Sequence, residues 1–502
     1  MASMAAVDMA TDMGILQCRS EVAMMKIPRI RNFLIGCALA RIASLALGVG
    51  VLTPLTAAAA QWDYGVIVDL GVTHTDNIFL ENDGLEQSET AYLIAPEFFL
   101  TTDSDRLVAN LRYRPEAIFY SEFSDSDEAF HALDASLTGA LIRDRLFVYL
   151  SAINYQSIIT PELQIPTGNL PITGNRIDSQ IFEARPYWQQ RLGQADLLLE
   201  AAYIDTQYDS ELLQSNVLRS GRMQLDNIER QEGLAWGLGY EYYRLEYEVS
   251  APWEFQRAAL NLGFWINGSV RIFADGGVET PYYNILNGDM DSNFWEAGFQ
   301  YRPNQRLNFE FAMGDRSYGT SYRGTFSYTL RRGEISLTYV EGPMTLASVA
   351  LNPRPITETD TATNFLDQPG ASDRFVNRRA DLNISIDLSK SELTLNLFAT
   401  SRDLRTTADG DALDDQEFLG AALRWSWNIG TKTTFGVGAE INEREQSDRT
   451  TRLRRLLVYL TYNFSERLSV SLEANNSKQE DQGTSLFEYE ENQLRLFLRT
   501  EF

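Results

Sequence analysis

Apolar and polar residues alternate one by one along segment after segment of this chain, and no convincing run has a helical period. Clear examples lie at 382–388, 393–397, 468–473, 335–339 and 307–311. Because successive side chains of a β-strand point to opposite sides, each segment has one apolar and one polar face. The chain is therefore predicted to form antiparallel sheet, either as a soluble sandwich or as a barrel.

The connections between these segments favour the barrel, because they are alternately short and long. Tight turns are predicted at 103–105, 143–145, 192–194, 267–269, 303–305, 332–333, 389–391, 430–432 and 465–467. Longer polar loops are predicted at 81–89, 157–175, 210–224, 284–292, 342–372, 402–415, 443–451 and 478–484. Outer-membrane barrels have this asymmetry, with tight periplasmic turns and long extracellular loops.

Counting segments between these connections gives about 22 strands, within a range of about 16–22. Pro252 leaves two readings open, a short outer turn or an interruption of one long strand. After Gln61 no stretch approaches the roughly 20 consecutive apolar residues of a transmembrane helix, so only a closed barrel could span a membrane. The sequence predicts an all-β fold, a single transmembrane outer-membrane barrel over 61–502, with no plug domain because alternation starts at Val66.

Residues 1–60 are predicted to be an N-terminal extension and a cleaved secretory signal. A basic head at 25–32 precedes an apolar run at 33–55, and Ala57–Ala60 supply small residues before Gln61. These are the marks of a Sec-type export signal. An uncleaved anchor at 42–60 is the alternative, since the run is longer than a usual signal core. With the barrel pattern, export predicts the outer membrane of a Gram-negative-type bacterium.

The C-terminal segment has the pattern of a last barrel strand. Three leucines, Leu494, Leu496 and Leu498, alternate with polar residues, and the chain ends at Phe502 on the same face. This arrangement resembles the recognition signal of outer-membrane barrel assembly. It therefore predicts outer-membrane lipid and the barrel-assembly machinery as partners.

Composition excludes several classes of function. The formal net charge is −26, and 38 basic against 66 acidic residues remain after residue 60, so duplex nucleic acid is not expected as a partner. Both cysteines, Cys18 and Cys37, precede Gln61, and His74 and His131 are the two histidines. Disulfides, zinc sites and haem sites are therefore not expected.

No motif for catalysis or cofactor binding is found. The sequence has no Gly-rich phosphate loop before a helix, no Gly-x-Ser-x-Gly and no His-Glu-x-x-His. His74 and His131 are interpreted as ordinary strand or rim residues, although some barrel enzymes use a Ser-His site. The acidic stretch 403–417 lacks EF-hand spacing, so no metal site is predicted.

Charged residues recur on the polar strand faces. Lipid-facing charge costs about 2–4 kcal/mol at the membrane midplane, so these side chains are expected to point mostly into the lumen. The set comprises Glu97, Arg112, Glu116, Glu183, Arg185, Glu310, Arg331, Arg424, Arg454, Glu473 and Arg495. They are interpreted as a solvated or salt-bridged lumen wall, with a selectivity surface for a hydrophilic solute as the alternative.

Two stretches resemble a known family. One is Gly314-Asp315-Arg316-Ser317-Tyr318-Gly319 with the Ser-Tyr and Arg-Arg pairs after it, and the other is Thr75-Asp76-Asn77-Ile78-Phe79-Leu80. Both resemble the outer-membrane barrel family associated with PEP-CTERM/exosortase systems and found beside exopolysaccharide loci. The resemblance implies a barrel with no settled biochemical activity, encoded where extracellular polysaccharide is made. Gly314 and Gly319 are expected to permit a tight loop, and Arg316 to brace it against an acidic neighbour.

The leading hypothesis is a non-enzymatic envelope protein that supports export or surface retention of exopolysaccharide, as a pore or as a docking scaffold. Polysaccharide and envelope export proteins would then be its partners, with no cofactor. A general or substrate-specific diffusion porin is the first alternative. A lipid- or glycan-modifying barrel enzyme is the second, and it would depend on His74 or His131.

Overall fold

The computed structural model describes residues 61–502 with gaps at 161–162, 210–212, 228–232, 281–291, 346–373, 405–414, 447–448 and 483–486. The predicted signal at 1–60, with both cysteines, lies outside the described residues. The strands are β1 (Trp62–Thr75), β2 (Glu89–Asp103), β3 (Leu107–Tyr120), β4 (Glu128–Ile142), β5 (Leu146–Ile158), β6 (Arg176–Leu192), β7 (Ala195–Tyr208), β8 (Asn216–Asp226), β9 (Gly233–Tyr247), β10 (Trp253–Asn267), β11 (Val270–Glu279), β12 (Asn293–Asn304), β13 (Leu307–Arg316), β14 (Gly319–Leu330), β15 (Gly333–Thr345), β16 (Arg374–Asp387), β17 (Ser391–Leu404), β18 (Gln416–Asn428), β19 (Thr433–Gln446), β20 (Arg449–Asn463), β21 (Leu468–Gln482) and β22 (Tyr489–Glu501).

Every strand pairs antiparallel with the next one along the chain, and β1 also pairs with β22. The sheet is therefore a closed 22-stranded antiparallel barrel, and the predicted fold class and strand number are confirmed. Pro252 lies in the short connection between β9 and β10, so the reading of this segment as a short outer turn is correct. No helix of the described residues is long and apolar enough to cross a membrane, a finding that does not bear on spanning by strands.

The two ends of the barrel differ in their connections. At one end lie the start of β1, the end of β22 and mostly short turns; at the other lie most of the longer loops. Short turns face the periplasm in barrels of this type, so we call these the periplasmic end and the outer end. The Asn267-Gly268-Ser269 turn between β10 and β11 is closed by the Asn267 side chain, whose oxygen accepts from the backbone N–H of Ser269 at 2.9 Å.

Alternation gives each strand an outward apolar face and an inward polar face. On β22, Leu494, Leu496 and Leu498 are 54%, 51% and 37% exposed, whereas Gln493 and Arg495, which alternate with them, are buried. Similar rows of exposed apolar side chains recur around the barrel. A surface of this kind is suited to lipid, because strands of an outer-membrane-type barrel alternate apolar residues outside with polar residues inside. Phe502 is also exposed, at the periplasmic end.

Several predicted loops are partly strand. Residues 216–224 form most of β8, 342–345 end β15, and 443–446 and 449–451 belong to the β19–β20 hairpin. Residues 478–482 end β21. Residues 216–224 run along most of β8 towards the periplasmic end, whereas the other segments lie at the outer end, where strands project beyond the apolar belt and both faces can be polar. Alternation of hydrophobicity disappears there, so the sequence pattern ends before the strand does.

Two of the charged residues expected to point inward do not. Arg454 lies between the buried, inward Leu453 and Arg455, so its half-exposed side chain points outward and pairs with Glu480 at 3.2 Å. This pair stands above the apolar belt, where outward charge costs little because water and headgroups are present. Arg331 lies in the turn between β14 and β15 and is exposed.

Candidate functional site: the barrel lumen

The family-like stretch Thr75–Leu80 lies where the barrel closes, at the outer ends of β1 and β22. The Asp76 carboxylate accepts hydrogen bonds from the backbone N–H and the side-chain amide of Asn492, at 2.7 and 2.8 Å. Asn77 is fully buried, and its amide donates to the carbonyl oxygens of Glu81 and Glu490 at 2.8 and 3.1 Å. Asp76 and Asn77 therefore join the first loop to the last strand.

The connection between β5 and β6, residues 159–175, folds into the barrel, and we call it the inward loop. On β22, the Tyr489 hydroxyl donates to the Ile165 carbonyl oxygen at 2.6 Å. On β21, the Gln479 amide donates to the Leu163 carbonyl oxygen at 3.2 Å and accepts from the Ile165 N–H at 3.1 Å. Both wall side chains are buried, so the inward loop covers the lumen face of these strands at the outer end.

The same loop returns along the opposite side of the barrel closure. The Asn169 amide donates to the Glu116 carboxylate at 3.3 Å, and the Tyr120 hydroxyl donates to the Leu170 carbonyl oxygen at 2.8 Å. Glu116 and Tyr120 lie on β3, which is separated from β21 by β2, β1 and β22. The inward loop thus spans the inner wall across the closure and narrows the outer end.

Apolar packing holds the inward loop in place. Ile165 is fully buried in a cluster to which four wall strands, the end of β5 and the first loop contribute. The other members are Leu80, Ile158, Phe398, Phe418, Leu453 and Tyr489. Burying one such side chain is worth about 1.5–3 kcal/mol relative to leaving it exposed, so the loop is fixed against the wall.

The family-like stretch Gly314–Gly319 forms a buried ion pair at the outer end. Arg316, at the end of β13, reaches across β12 to Glu279 at the end of β11, with Nη2–Oε2 at 2.6 Å and two further Nε contacts at 3.0 and 3.1 Å. The Ser317 N–H donates to the same carboxylate at 2.9 Å. Glu279 is thus the acidic neighbour expected for Arg316, and the Arg316 guanidinium also lies 3.7 Å from Glu296.

The two glycines of this stretch act in different ways. Gly319 has φ +110°, which favours glycine at the tight turn between β13 and β14. Gly314 allows a close approach: a Cβ at this position would lie 1.9 Å from the Trp295 carbonyl oxygen. Asp315 alternates with the inward Gly314 and Arg316, so it lies on the outward face of β13.

Tyr318 fills the space beneath this turn. It packs in a cluster with Trp253 and Phe255 of β10, and its hydroxyl donates to Ser321 Oγ at 3.1 Å. Burial raises the pKa of the Tyr318 phenol, so it stays protonated as a hydrogen-bond donor. The β1–β2 and β13–β14 connections are twelve strands apart in one direction and ten in the other, so the two family-like stretches line nearly opposite sides of the outer end.

A cavity of about 540 Å³ lies on the lumen face of β8–β15, away from the wall that the inward loop covers. Arg323 lines this cavity, and its guanidinium contacts three carboxylates, at 2.8 Å to Asp275, 2.8 Å to Glu310 and 3.4 Å to Glu296. The charged lining is balanced, with five arginines and five carboxylates: Arg222, Arg257, Arg271, Arg316, Arg323, Glu241, Asp275, Glu296, Glu310 and Glu341. Such a surface offers many donors and acceptors without a net charge.

The two histidines lie on the outward face, not in the lumen. His74 alternates with the buried Thr73 and Thr75, and its Nδ1 is 3.0 Å from the Thr90 hydroxyl. His131 stacks on Tyr113, with Nδ1 2.9 Å from the phenol oxygen. Within the described residues, no carboxylate or amide contacts the second ring nitrogen of His74, so the pair with Thr90 lacks an orienting group.

We expect the variants His74→Gln and His131→Gln to fold and function as the wild-type protein does. Fatty-acid release from phospholipid–detergent micelles is the measurement, and all three proteins should match the detergent blank. Hydrolysis by the wild-type protein that His74→Gln abolishes would instead favour the enzyme hypothesis.

The inward loop is the main feature that the sequence pattern did not predict as part of the lumen. Its described residues include Ile165, Leu170 and Ile172 and carry no charge, unlike the acidic first loop. The apolar residues and the lack of charge were the sequence features that could have indicated a loop packed inside the barrel. The described residues hold no group of three or more histidine, cysteine or acidic side chains suited to a metal ion, and the aspartates at 409, 411 and 414 lie outside them.

Comparison with known proteins finds no matching family model and no matching curated protein. Among solved structures, the chain is similar to the siderophore receptor PirA from Pseudomonas aeruginosa, with 10% identity, 87% of this chain and 80% of that chain covered, and a TM-score of 0.43. It is similar to the ferric-catecholate import receptor Fiu from E. coli K12, with 8% identity, 88% and 82% covered, and a TM-score of 0.49. It is also similar to OccK2 (OpdF) of Pseudomonas aeruginosa, with 10% identity, 88% of this chain and 98% of that chain covered, and a TM-score of 0.35.

Proposed function

We propose that this protein is a non-enzymatic outer-membrane channel that supports export or surface retention of exopolysaccharide in a PEP-CTERM/exosortase-type system. The observation that carries the channel part is the charged lumen wall beside a narrowed outer end. The inward loop covers the wall around the closure, and the cavity on β8–β15 stays open along the other wall. The exopolysaccharide part rests on the two family-like stretches.

The chemistry of the cavity suits a hydroxyl-rich solute. Sugar hydroxyls both donate and accept hydrogen bonds, so they can pair with carboxylates and guanidinium groups alike. Five arginines facing five carboxylates give no preference for one sign of charge. A channel for a polyanion would instead need a net positive lining, because like charge raises the electrostatic barrier.

Deleting the gene in frame in its native host is expected to lower secreted polysaccharide and to raise periplasmic polysaccharide. A complementing copy with Arg257→Glu, which changes the cavity, should restore export poorly. The matched control is Arg244→Glu on neighbouring β9, because Arg244 faces outward and pairs with Glu254 at 2.8 Å outside the lumen. Unchanged polysaccharide in both fractions of the deletion strain would contradict the export proposal.

A diffusion porin is the second candidate, favoured by the same polar lumen. It predicts steady ion conductance in planar bilayers, sensitivity of that conductance to Arg257→Glu, and no polysaccharide phenotype on deletion. The two candidates are therefore separated by the polysaccharide assay.

A further inference from the structure

The turns at the periplasmic end carry an excess of basic residues in a protein whose formal net charge is −26. Nine of these turns are fully described, at 104–106, 143–145, 193–194, 268–269, 305–306, 331–332, 388–390, 429–432 and 464–467. They contain nine basic and three acidic residues, and all nine basic side chains are exposed. The described residues of the outer loops contain eleven acidic residues and no basic one. We call the nine turns the basic rim.

Most cations of the basic rim have no ion pair within the described residues. Of the nine, only Arg143 has an ion pair within the described residues, with Asp105 and Asp144 at 3.8 Å each. The outward cations at the outer end differ: Arg219 pairs with Glu246 at 2.5 Å, and Arg454 pairs with Glu480. The rim cations are thus available to an external anion, whereas the outer-end cations are already neutralised.

The height of the basic rim matches that of lipid phosphates. The exposed, outward Leu388 is two residues before Lys390, and the exposed Phe464 is three residues before Arg467. Arg331 directly follows Leu330 at the end of β14. These three cations therefore stand just past the last apolar side chain of the belt, which is the level of the headgroups in the periplasmic leaflet.

We propose that the basic rim binds the phosphates of anionic phospholipids in the periplasmic leaflet, which holds the barrel at a fixed depth in an asymmetric membrane. The cations extend from the β12–β13 turn through β22 and β1 to the β4–β5 turn. A wide arc of cations at constant height is complementary to a continuous layer of headgroups, whereas binding of an acidic protein would need a compact patch of basic residues. The proposal is independent of any solute in the lumen.

Native tryptophans make the proposal testable. Trp425 and Trp427 face outward near the periplasmic end of β18, 36% and 41% exposed, close to the turn that contains Lys432. The purified full chain would be reconstituted into phosphatidylcholine bilayers containing brominated phosphatidylglycerol or brominated phosphatidylcholine. Quenching of tryptophan fluorescence then gives the relative affinity for the two lipids. A juxtamembrane cation contributes about 1 kcal/mol, which is about fivefold, so we expect a preference of at least about fivefold for the anionic lipid at low salt.

The variant Arg331→Gln/Arg332→Gln/Lys390→Gln/Lys432→Gln should lower this preference to near equality. The matched control, Arg219→Gln/Arg244→Gln/Arg452→Gln/Arg454→Gln, removes the same charge from paired cations at the outer end and should keep it. Heat-modifiable migration in gels verifies folding of each protein. The wild-type preference should also weaken at about 1 M salt, where the Debye length falls to about 3 Å.

Two results would overturn the proposal. One is equal quenching by the two lipids in the wild-type protein, and the other is an equal loss of preference in the control. A soluble polyglutamate peptide, added to the protein in all-phosphatidylcholine bilayers, tests the alternative partner, an acidic protein. Rim-dependent binding of that peptide without any lipid preference would assign the basic rim to an acidic periplasmic protein instead.

Discussion

Replacing Glu279 with Ala should lower the free energy of unfolding by about 3 kcal/mol, because it leaves the Arg316 guanidinium buried without its bidentate partner. The Arg316 and Glu279 side chains are 9% and 0% exposed. Removing one member of a buried pair costs about 3–5 kcal/mol, and Glu296, still 3.7 Å away, places this variant at the lower end. The measurement is the unfolding midpoint in lipid vesicles with chemical denaturant.

The control is Glu254→Ala, which removes a carboxylate 2.8 Å from Arg244 in a pair that is 39% and 45% exposed. Surface pairs contribute about 0–1 kcal/mol, so this midpoint should change little. Equal shifts for the two variants would mean that the Arg316 pair has no special role in holding the outer end. A double variant, Arg316→Met/Glu279→Leu, should recover part of the lost stability, because no buried charge is left unpaired.

Removing the inward loop should raise single-channel conductance severalfold. In this variant, residues 160–174 are replaced with a short Gly-Ser turn, so the wall around the closure is no longer covered at the outer end. Single-channel recording in planar bilayers is the measurement. Conductance equal to that of the wild-type protein would show that the loop does not set the narrowest point of the path.

A cross-linked variant tests the position of the loop without removing it. The hydroxyl oxygens of Thr167 and Ser477 are 3.4 Å apart, so Thr167→Cys and Ser477→Cys should form a disulfide between the inward loop and β21. Its formation is measured by the shift of migration on reduction. Conductance of the oxidised form should equal that of the wild-type protein, because the bond fixes the loop where it already lies.

The fold was predictable from sequence wherever one strand face meets lipid. Leu494, Leu496 and Leu498 alternate with polar residues, and the structure has them on the outward face. The hairpin at 443–452 was not predictable, because both of its faces are polar above the belt; there the outward pair Glu443 and Arg452 is held by an ion pair. Alternation of apolar and polar residues arises where one face of a strand contacts lipid, so strand segments outside the lipid cannot be predicted from it.

The lumen was predictable in chemistry but not in arrangement. Alternation correctly indicated inward charges such as Glu116 and Arg495, which are buried on the inner wall. The partner of Arg316 could be expected to be acidic, yet its identity as Glu279 depends on the registers of β11, β12 and β13, which local sequence does not reveal. The inward loop depends on side chains of distant strands, such as Tyr489, and no local pattern specifies such contacts.

The closure between β1 and β22 has a consequence for the order of assembly. The Asp76–Asn492 contact joins residues 416 positions apart, and almost the whole chain is made before its second partner exists. Until then both edge strands present unpaired backbone groups, which hydrocarbon cannot satisfy. Closing such a long loop is slow, because its entropy must be lost before the contact compensates it. Until β22 pairs with β1, a partly assembled sheet of this protein would therefore have two open edges that are exposed to mispairing.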